Sequence, residues 1–285
     1  MYTTSQIMRL VYLSALPALV LFTLWQGYYF LIHLAVASAA GFIFEAGVLA
    51  LRKKPILPTL KDGSVLLTAM LLCVCIPASA PWWLSIVGMF FAIVIAKQLF
   101  GGLGHNIFNP AMVGYAVLLV SFPQYLTQWQ FVDAISRATP LDLQQTGDFV
   151  RGMSWQPYQL IISINLAWLL GGLFLIYNKL IDWRIPVSFL LAASFTALVC
   201  SLFTSDTLPL LWQLAFGATM VGAFYIATDP VTASTTHMGR WIYGALIGVL
   251  MITIRQFSAY PDGLAFAVLL ANLCVPLIDT LTSKR

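Results

Sequence analysis

The chain has 285 residues, 60% of them hydrophobic and only 8% charged, with 14 Lys and Arg against 10 Asp and Glu. Soluble globular domains carry about a quarter charged residues, so this composition excludes a water-soluble enzyme, a disordered chain and a nucleic-acid-binding module. Four cysteines in apolar surroundings exclude a disulfide scaffold, and what remains is an all-α polytopic membrane protein.

A membrane helix needs about 20 mainly apolar residues. In chain order the apolar stretches predict ten spans, at roughly Leu10–Trp25, Tyr29–Leu51, Ser64–Ile76, Trp82–Ile95, Ala111–Ser121, Tyr158–Tyr177, Pro186–Phe203, Leu208–Ile226, Trp241–Ile254 and Leu264–Ile278. Several fall short of a full crossing, the pattern of broken helices packed among others. The first stretch has no small-residue cleavage site and reads as a retained span rather than a signal peptide. With the N-terminus in the cytoplasm, eleven basic residues fall inside (Arg9, Arg52, Lys53, Lys54, Lys61, Lys97, Lys179, Arg184, Arg240, Lys284 and Arg285) and three outside (Arg137, Arg151 and Arg255). Cytoplasmic loops are enriched in Lys and Arg, so both termini are expected inside.

One long polar stretch, residues 122–157, falls outside and contains Asp133, Arg137, Asp142, Asp148 and Arg151. Loops of this length usually serve a function. It divides the chain into a first membrane half, residues 1–121, and a second, residues 158–285, each with five spans. At an offset of 120, Asn109-Pro110 corresponds to Asp229-Pro230 and Asp62 to Asp182. Five spans per half would insert the second half upside down, as in the inverted repeats of many transporters; chance matching in an apolar background is the competing reading.

Asn and Asp are good helix N-caps, and proline suits the first helical position. Asn109-Pro110 and Asp229-Pro230 are therefore expected to start helices, either half-helices inside the protein or ordinary helices at the membrane surface. In the first case their N–H groups offer an anion-binding end, with Asn109, Pro110, Asp229, Pro230 and Thr232 as candidate lining of a cavity or second site. Ala233-Ser234-Thr235-Thr236 belongs to the same broken region.

Glu45 is the one acid within an expected span. An ionisable group in a membrane is by default a candidate for ion transfer, but Glu45 also lies about two turns from Arg52-Lys53-Lys54 and could reach that surface. Lys97, near an inner boundary, is expected to snorkel. His33, His105 and His237 lack metal-ligand spacing, and Cys73 and Cys75 lean apart on a helix, so no metal site is expected. Trp and Tyr cluster near span ends, as at Trp25, Tyr28, Tyr29, Trp82 and Trp83, in an aromatic belt.

Within the outer loop, Asp133-Ala134-Ile135-Ser136-Arg137-Ala138-Thr139 resembles the Asp-x-x-Ser/Thr-Gly-Ala-Thr motif at which bacterial flavin transferases join FMN to a threonine hydroxyl through its phosphate. Asp133, Ser136, Ala138 and Thr139 match. Arg137 replaces the motif's glycine and its backbone freedom, while offering a guanidinium that can pair with phosphate. By residues alone, Ser-Arg-Ala-Thr is also an ordinary polar turn.

The chain is similar along nearly its whole length to the RnfD and NqrB family, membrane subunits of ion-pumping respiratory complexes. The stretches that carry the likeness are Asp62-Gly63-Ser64, Phe100 to Gly104, Phe108-Asn109-Pro110-Ala111-Met112, Ala227 to Thr232, Thr236 to Arg240, Tyr260 to Ala267 and Pro276-Leu277-Ile278-Asp279. It lacks the long N-terminal extension of the NqrB branch, resembles RnfD more, and is shorter than a usual RnfD. The resemblance implies ten spans in two inverted five-helix repeats in the bacterial inner membrane. It also implies covalent FMN on Thr139 on the periplasmic side, and a second, non-covalent flavin (riboflavin) as an option. The implied partners are other membrane and peripheral subunits, a flavin transferase for maturation, membrane lipid, and Na+ or H+ as the moved cation. Thr139 is then an anchor, and the whole protein is one component of a complex rather than an independent enzyme. The competing readings are a passive channel or transporter without flavin and a scaffold that has lost its cofactor.

Overall fold

The computed structural model describes residues 3–127, 129, 159–203, 210–258, 260 and 262–283, and the regular structure among them is entirely helical. The chain forms two compact units, Met1–Val132 and Asp133–Arg285.

In the first unit, α1 (Thr4–Gln26) opens with a capping box between Thr3 and Gln6, and α2 (Tyr28–Leu51) follows after Gly27. A short α3 (Ile56–Leu60) leads to α4 (Ser64–Val74). Next, α5 (Trp83–Met89) continues without a break into a π-helical segment, π1 (Phe90–Gln98). Helix α6 (Pro110–Ser121) and a single turn, α7 (Pro123–Leu126), complete the unit. The α2 helix packs on α4, α5 and π1, and α6 on α5 and π1. The α5–α6 contact is backbone to backbone: a Cβ on Gly114 would lie 2.5 Å from the Gly88 carbonyl oxygen. The aromatic residues expected at span ends pack on one another, with Trp25 stacked on Trp129 at 5.6 Å and Trp83 edge-on to Phe122 at 5.2 Å.

The second unit comprises α8 (Gln159–Tyr177), α9 (Arg184–Phe203), α10 (Leu210–Ala215), α11 (Thr219–Val221) running into π2 (Gly222–Ile226), α12 (His237–Phe257) and α13 (Leu264–Thr282). The α9–α12 contact is the most extensive among the described residues. Gly244 faces Ile185 and Ser188 while Gly248 faces Phe189 and Ala193, so the register rises in the same direction on both helices and they run parallel. Small residues permit this close approach, which in a membrane supplies the packing that hydrophobicity alone does not.

Among the described residues, six helices are long and apolar enough to cross a membrane: α1, α2, α8, α9, α12 and α13. Three further expected spans are shorter apolar helices, at Ser64–Val74, Trp83–Gln98 and Pro110–Ser121. The remaining one, Leu208–Ile226, is broken after Ala215, where Gly217 adopts a φ of +67°. The regular structure of the described residues is thus all-helical, with the spans of a polytopic membrane protein.

A Cβ on Gly248 would sit 2.9 Å from the Ala193 backbone nitrogen and closer still to the Phe189 carbonyl, neither of which can retreat without moving α9. Gly248→Val is expected to cost about 1–3 kcal/mol by overpacking and to lower the melting temperature in detergent. Gly47→Ala, where no atom lies within 4 Å of the added carbon, leaves it unchanged or slightly higher.

Candidate functional site

Three polar side chains buried in the first unit, those of Lys97, Gln98 and Ser64, gather around one carboxylate. On α2, His33, Ala37, Gly41, Glu45 and Leu49 recur every four residues and are all buried, which aims Glu45 at α4 and π1. Gly41 makes this approach possible, since a Cβ there would lie 2.7 Å from Val65 of α4. Glu45 is 0% exposed. Its Oε1 accepts from Lys97 Nζ at 2.6 Å and from Gln98 Nε2 at 2.6 Å. Both donors come from consecutive positions at the end of π1, and π turns of this kind recur at functional sites. Lys97, 1% exposed, also donates to Ser64 Oγ at 2.7 Å. Ser64 Oγ in turn donates to Asp62 Oδ1 at 2.5 Å, and Ser64 N donates to the same oxygen at 2.7 Å. On the other side, Arg52 Nη1 donates to the Gln98 carbonyl at 2.7 Å. Glu45 Oε2 is buried with no hydrogen-bond partner among the described residues.

This geometry corrects one expectation and removes one of two alternatives. Lys97 does not snorkel to a membrane boundary, because its ammonium is held inside by Glu45 and Ser64. Glu45 does not reach the Arg52-Lys53-Lys54 surface; among the described residues it meets Arg52 through Gln98. In the sequence Gln98 has no distinction and Ser64 stands out only within the Asp62-Gly63-Ser64 stretch, with no site role, since neither residue type is unusual on a helix. Only the meeting of α2, α4 and π1 gives them a role.

Asn109-Pro110 does start a helix. Asn109 caps α6, its side chain accepting from Met112 N at 3.3 Å with Pro110 in the first turn, and it is buried at 3% exposure. The loop before it turns through Gly101, Gly102 and Gly104, all with φ between +93° and +126°.

Asp229-Pro230 does not start a helix, against expectation. Asp229 accepts from Val231 N at 3.3 Å and Thr232 Oγ1 at 3.0 Å, a local turn that competes with capping. Pro230 is exposed, and α12 begins seven residues later, capped by Thr236 on Gly239 N. The intervening non-helical backbone is secured from α13. Asn272 Nδ2 donates to the Thr232 carbonyl at 3.2 Å and to Tyr243 Oη at 2.8 Å. Asp279 accepts from Ser234 Oγ and from Thr235 N and Oγ1, the last two at 3.1 and 2.8 Å. Asn272 and Asp279 stand seven residues apart, two turns along one helix face, a spacing from which their shared role could have been inferred.

Arg255, counted from the sequence as an outer-loop charge, is buried in the last turn of α12. It donates to the Gln213 carbonyl at 2.8 Å and pairs with Asp262 at 3.4 Å. Asp262 also accepts from Ala218 N at 2.8 Å and Leu264 N at 3.1 Å, tying the break between α10 and α11 to the start of α13. At the opposite ends of these helices, Asp182 accepts from Arg184 N at 2.9 Å and pairs with Arg184 at 2.9 Å and Arg240 at 2.6 Å. The flavin-motif residues Asp133, Ser136, Arg137, Ala138 and Thr139 lie outside the described residues.

Taken together, broken and π-helical segments, caps and paired charges among apolar helices define a multi-pass membrane protein with interior polar sites. A model of the NQR2, RnfD, RnfE family matches residues 1–285, and the chain belongs to that family. Similar proteins include the D component of the ion-translocating oxidoreductase complex of Klebsiella pneumoniae (strain 342), 45% identical over 99% of this chain and 94% of its own length. That of Erwinia tasmaniensis is also 45% identical, and that of Escherichia coli (strain K12 / DH10B) 46%, with the same coverage. The Klebsiella alignment runs over 335 residues against the 285 of this chain, so that relative carries residues this chain lacks.

The charges in both units have measurable consequences. Removing one partner of a buried pair costs about 3–5 kcal/mol, whereas replacing both can be neutral. Glu45→Leu and Lys97→Met should each sharply lower thermal stability in detergent, and the double variant should recover most of the loss. For Asp182, partial burial acts to raise the carboxyl pKa, but the Arg184 backbone N–H and the Arg240 and Arg184 guanidiniums outweigh it and hold it below the usual carboxylate range. A depressed carboxyl pKa contributes stability above its unfolded value and loses it as pH falls through the folded one. Asp182→Asn should therefore lower the melting temperature at neutral pH and reduce the additional loss seen below about pH 4.

Proposed function

We propose that this chain is the flavin-carrying membrane component of an Rnf-type ion-translocating oxidoreductase complex, with FMN joined through its phosphate to Thr139. The observation that carries the reading is the Asp133-to-Thr139 motif in a chain 45% identical to proteins named as the D component of an ion-translocating oxidoreductase complex. FMN, when bound, supplies one- and two-electron redox chemistry, which the protein positions and tunes. A covalent tether keeps such a cofactor at high effective concentration in an external loop. Thr139 anchors it, Asp133 and Ser136 present the motif to a flavin transferase, and Arg137 pairs with the phosphate.

The same reading places the chain in the bacterial inner membrane with both termini cytoplasmic and the flavin loop periplasmic, alongside other membrane and peripheral subunits. Two inverted halves are part of it. Their support is local: Asp62 accepts from Ser64 N before α4 as Asp182 accepts from Arg184 N before α9, at 2.7 and 2.9 Å and 120 positions apart. Each unit also carries a π segment ahead of its Asx-Pro pair. Electron flow through the complex drives Na+ or H+ across the membrane, and Glu45, buried and charged, belongs to the ion's route.

Protein purified from cells containing an active flavin transferase should show flavin fluorescence on its band in a denaturing gel, with the flavin mass on the peptide holding Thr139. Thr139→Ala should abolish both signals. A bare peptide in wild-type protein would refute the assignment. Native mass spectrometry before and after denaturation separates this FMN from any riboflavin held non-covalently.

A further inference from the structure

We propose that Glu45, Lys97, Ser64 and Asp62 form a proton relay between the buried part of α2 and the start of α4. The inference rests on the reading of the chain as part of an ion-translocating complex and adds to it the ion that this cluster handles and the residues that pass it.

Four observations carry it. The hydrogen bonds are continuous and diverge from the ammonium: Lys97 Nζ donates to Glu45 Oε1 at 2.6 Å on one side and to Ser64 Oγ at 2.7 Å on the other, and Ser64 Oγ donates to Asp62 Oδ1 at 2.5 Å. The inner end is fully buried while Asp62, at the other end, is partly exposed, so the chain of groups joins the interior to a surface. Glu45 stands six residues before the end of α2, about 9 Å along the helix at 1.5 Å per residue. Its Oε2 is buried and unpartnered among the described residues, a costly arrangement that a purely structural ion pair does not need.

The remaining polar groups complete the balance. Gln98 of π1 donates to Glu45 Oε1, Arg52 at the end of α2 donates to the Gln98 carbonyl, and Ser64 N holds Asp62 Oδ1 from α4. Asp62 and Glu45 carry two negative charges against the positive charges of Lys97 and Arg52, so the resting cluster is neutral. An added proton is therefore not repelled by a net positive charge.

The transfer is a proton shift in which no bond to carbon changes. A proton arriving at Glu45 Oε2 gives the neutral acid. An N–H proton of Lys97 passes to Ser64 Oγ as the serine's own proton passes to Asp62 Oδ1. Lys97, now a neutral amine, takes the proton from the Glu45 carboxyl group after rotation about the terminal side-chain bond. Asp62 releases its proton to water and Ser64 turns its hydroxyl back. The carboxylate and ammonium are restored, and one proton has moved from the Oε2 side of Glu45 to the surface. Run in reverse, the same steps admit a proton.

Ser64 is the informative position, because among the described residues its hydroxyl alone links the ion pair to Asp62, while the ion pair itself survives its loss. The whole complex carrying Ser64→Ala, Ser64→Thr or Asp62→Asn, reconstituted in liposomes, should be assayed in parallel for flavin fluorescence, electron throughput, and H+ and Na+ movement. Ser64→Ala should retain the flavin and lose at least tenfold in H+ moved per electron, Asp62→Asn should fall comparably, and Ser64→Thr, which keeps the hydroxyl, should remain near wild type. Proton movement in the wild type should slow in D2O. Wild-type H+ movement in folded, flavin-loaded Ser64→Ala would overturn the relay, as would a wild type that moves Na+ with no H+. Absence of flavin from the wild type would instead strike the functional reading and is seen in the fluorescence channel alone.

Discussion

A carboxylate and an ammonium 2.6 Å apart, both out of reach of water, set the terms for the first unit. Taking either ion from water costs several kcal/mol, and their mutual attraction repays this only when the geometry is good. The pair therefore contributes little net stability, but any arrangement that separates Glu45 from Lys97 is heavily penalised. The helices α2, α4 and π1 must meet at one height, with Gly41 giving room for the approach and the π turn presenting Lys97 and Gln98 together. The register of three helices thus follows from one contact, in surroundings where apolar side chains alone would tolerate sliding.

The same requirement, that no polar group be left alone in an apolar interior, shapes the second unit differently. There the chain breaks twice, around Gly217 and between Ala227 and Thr236, and each break exposes backbone groups. Asp262 and Arg255 close the first, one accepting from the N–H of Ala218 and the other donating to the Gln213 carbonyl. Asn272 and Asp279 close the second from a single face of α13. Broken helices at membrane depth persist when neighbouring elements supply the missing partners, and α13 performs that service for the segment that follows π2. The parallel α9 and α12 frame these breaks, with Asp182 joining their starts through Arg184 and Arg240.

Ion handling and electron handling occupy separate parts of the chain in the functional reading. The relay groups all lie between Glu45 and Gln98, within the first unit, whereas Thr139 belongs to the polar stretch between the two sets of helices. At a 120-residue offset, Asp62 and Asp182 each accept from the backbone N–H two residues on, at the head of the following helix.

Composition and hydropathy were enough to establish a polytopic helical membrane protein and the positions of its long apolar helices, because burying apolar side chains and pairing backbone groups within one segment are properties of that segment alone; the break inside the expected span Leu208–Ile226 was not legible in this way. Asn109-Pro110 could be read as a helix start for the same reason, capping being a matter of adjacent residues. The likeness of the whole chain to its family was legible in short motifs in fixed order. What the sequence could not decide was which polar groups meet. Asp229-Pro230 carries the same capping chemistry as Asn109-Pro110, yet Asp229 turns onto Thr232, with the segment held from α13 two turns at a time. Lys97 and Arg255 look like boundary charges and are buried, because their partners, Glu45 at a separation of 52 residues and Gln213 at 42, are brought to them only by packing. A charge in an apolar protein is placed by the groups that accept or donate its hydrogen bonds, and those groups are identified by the tertiary structure.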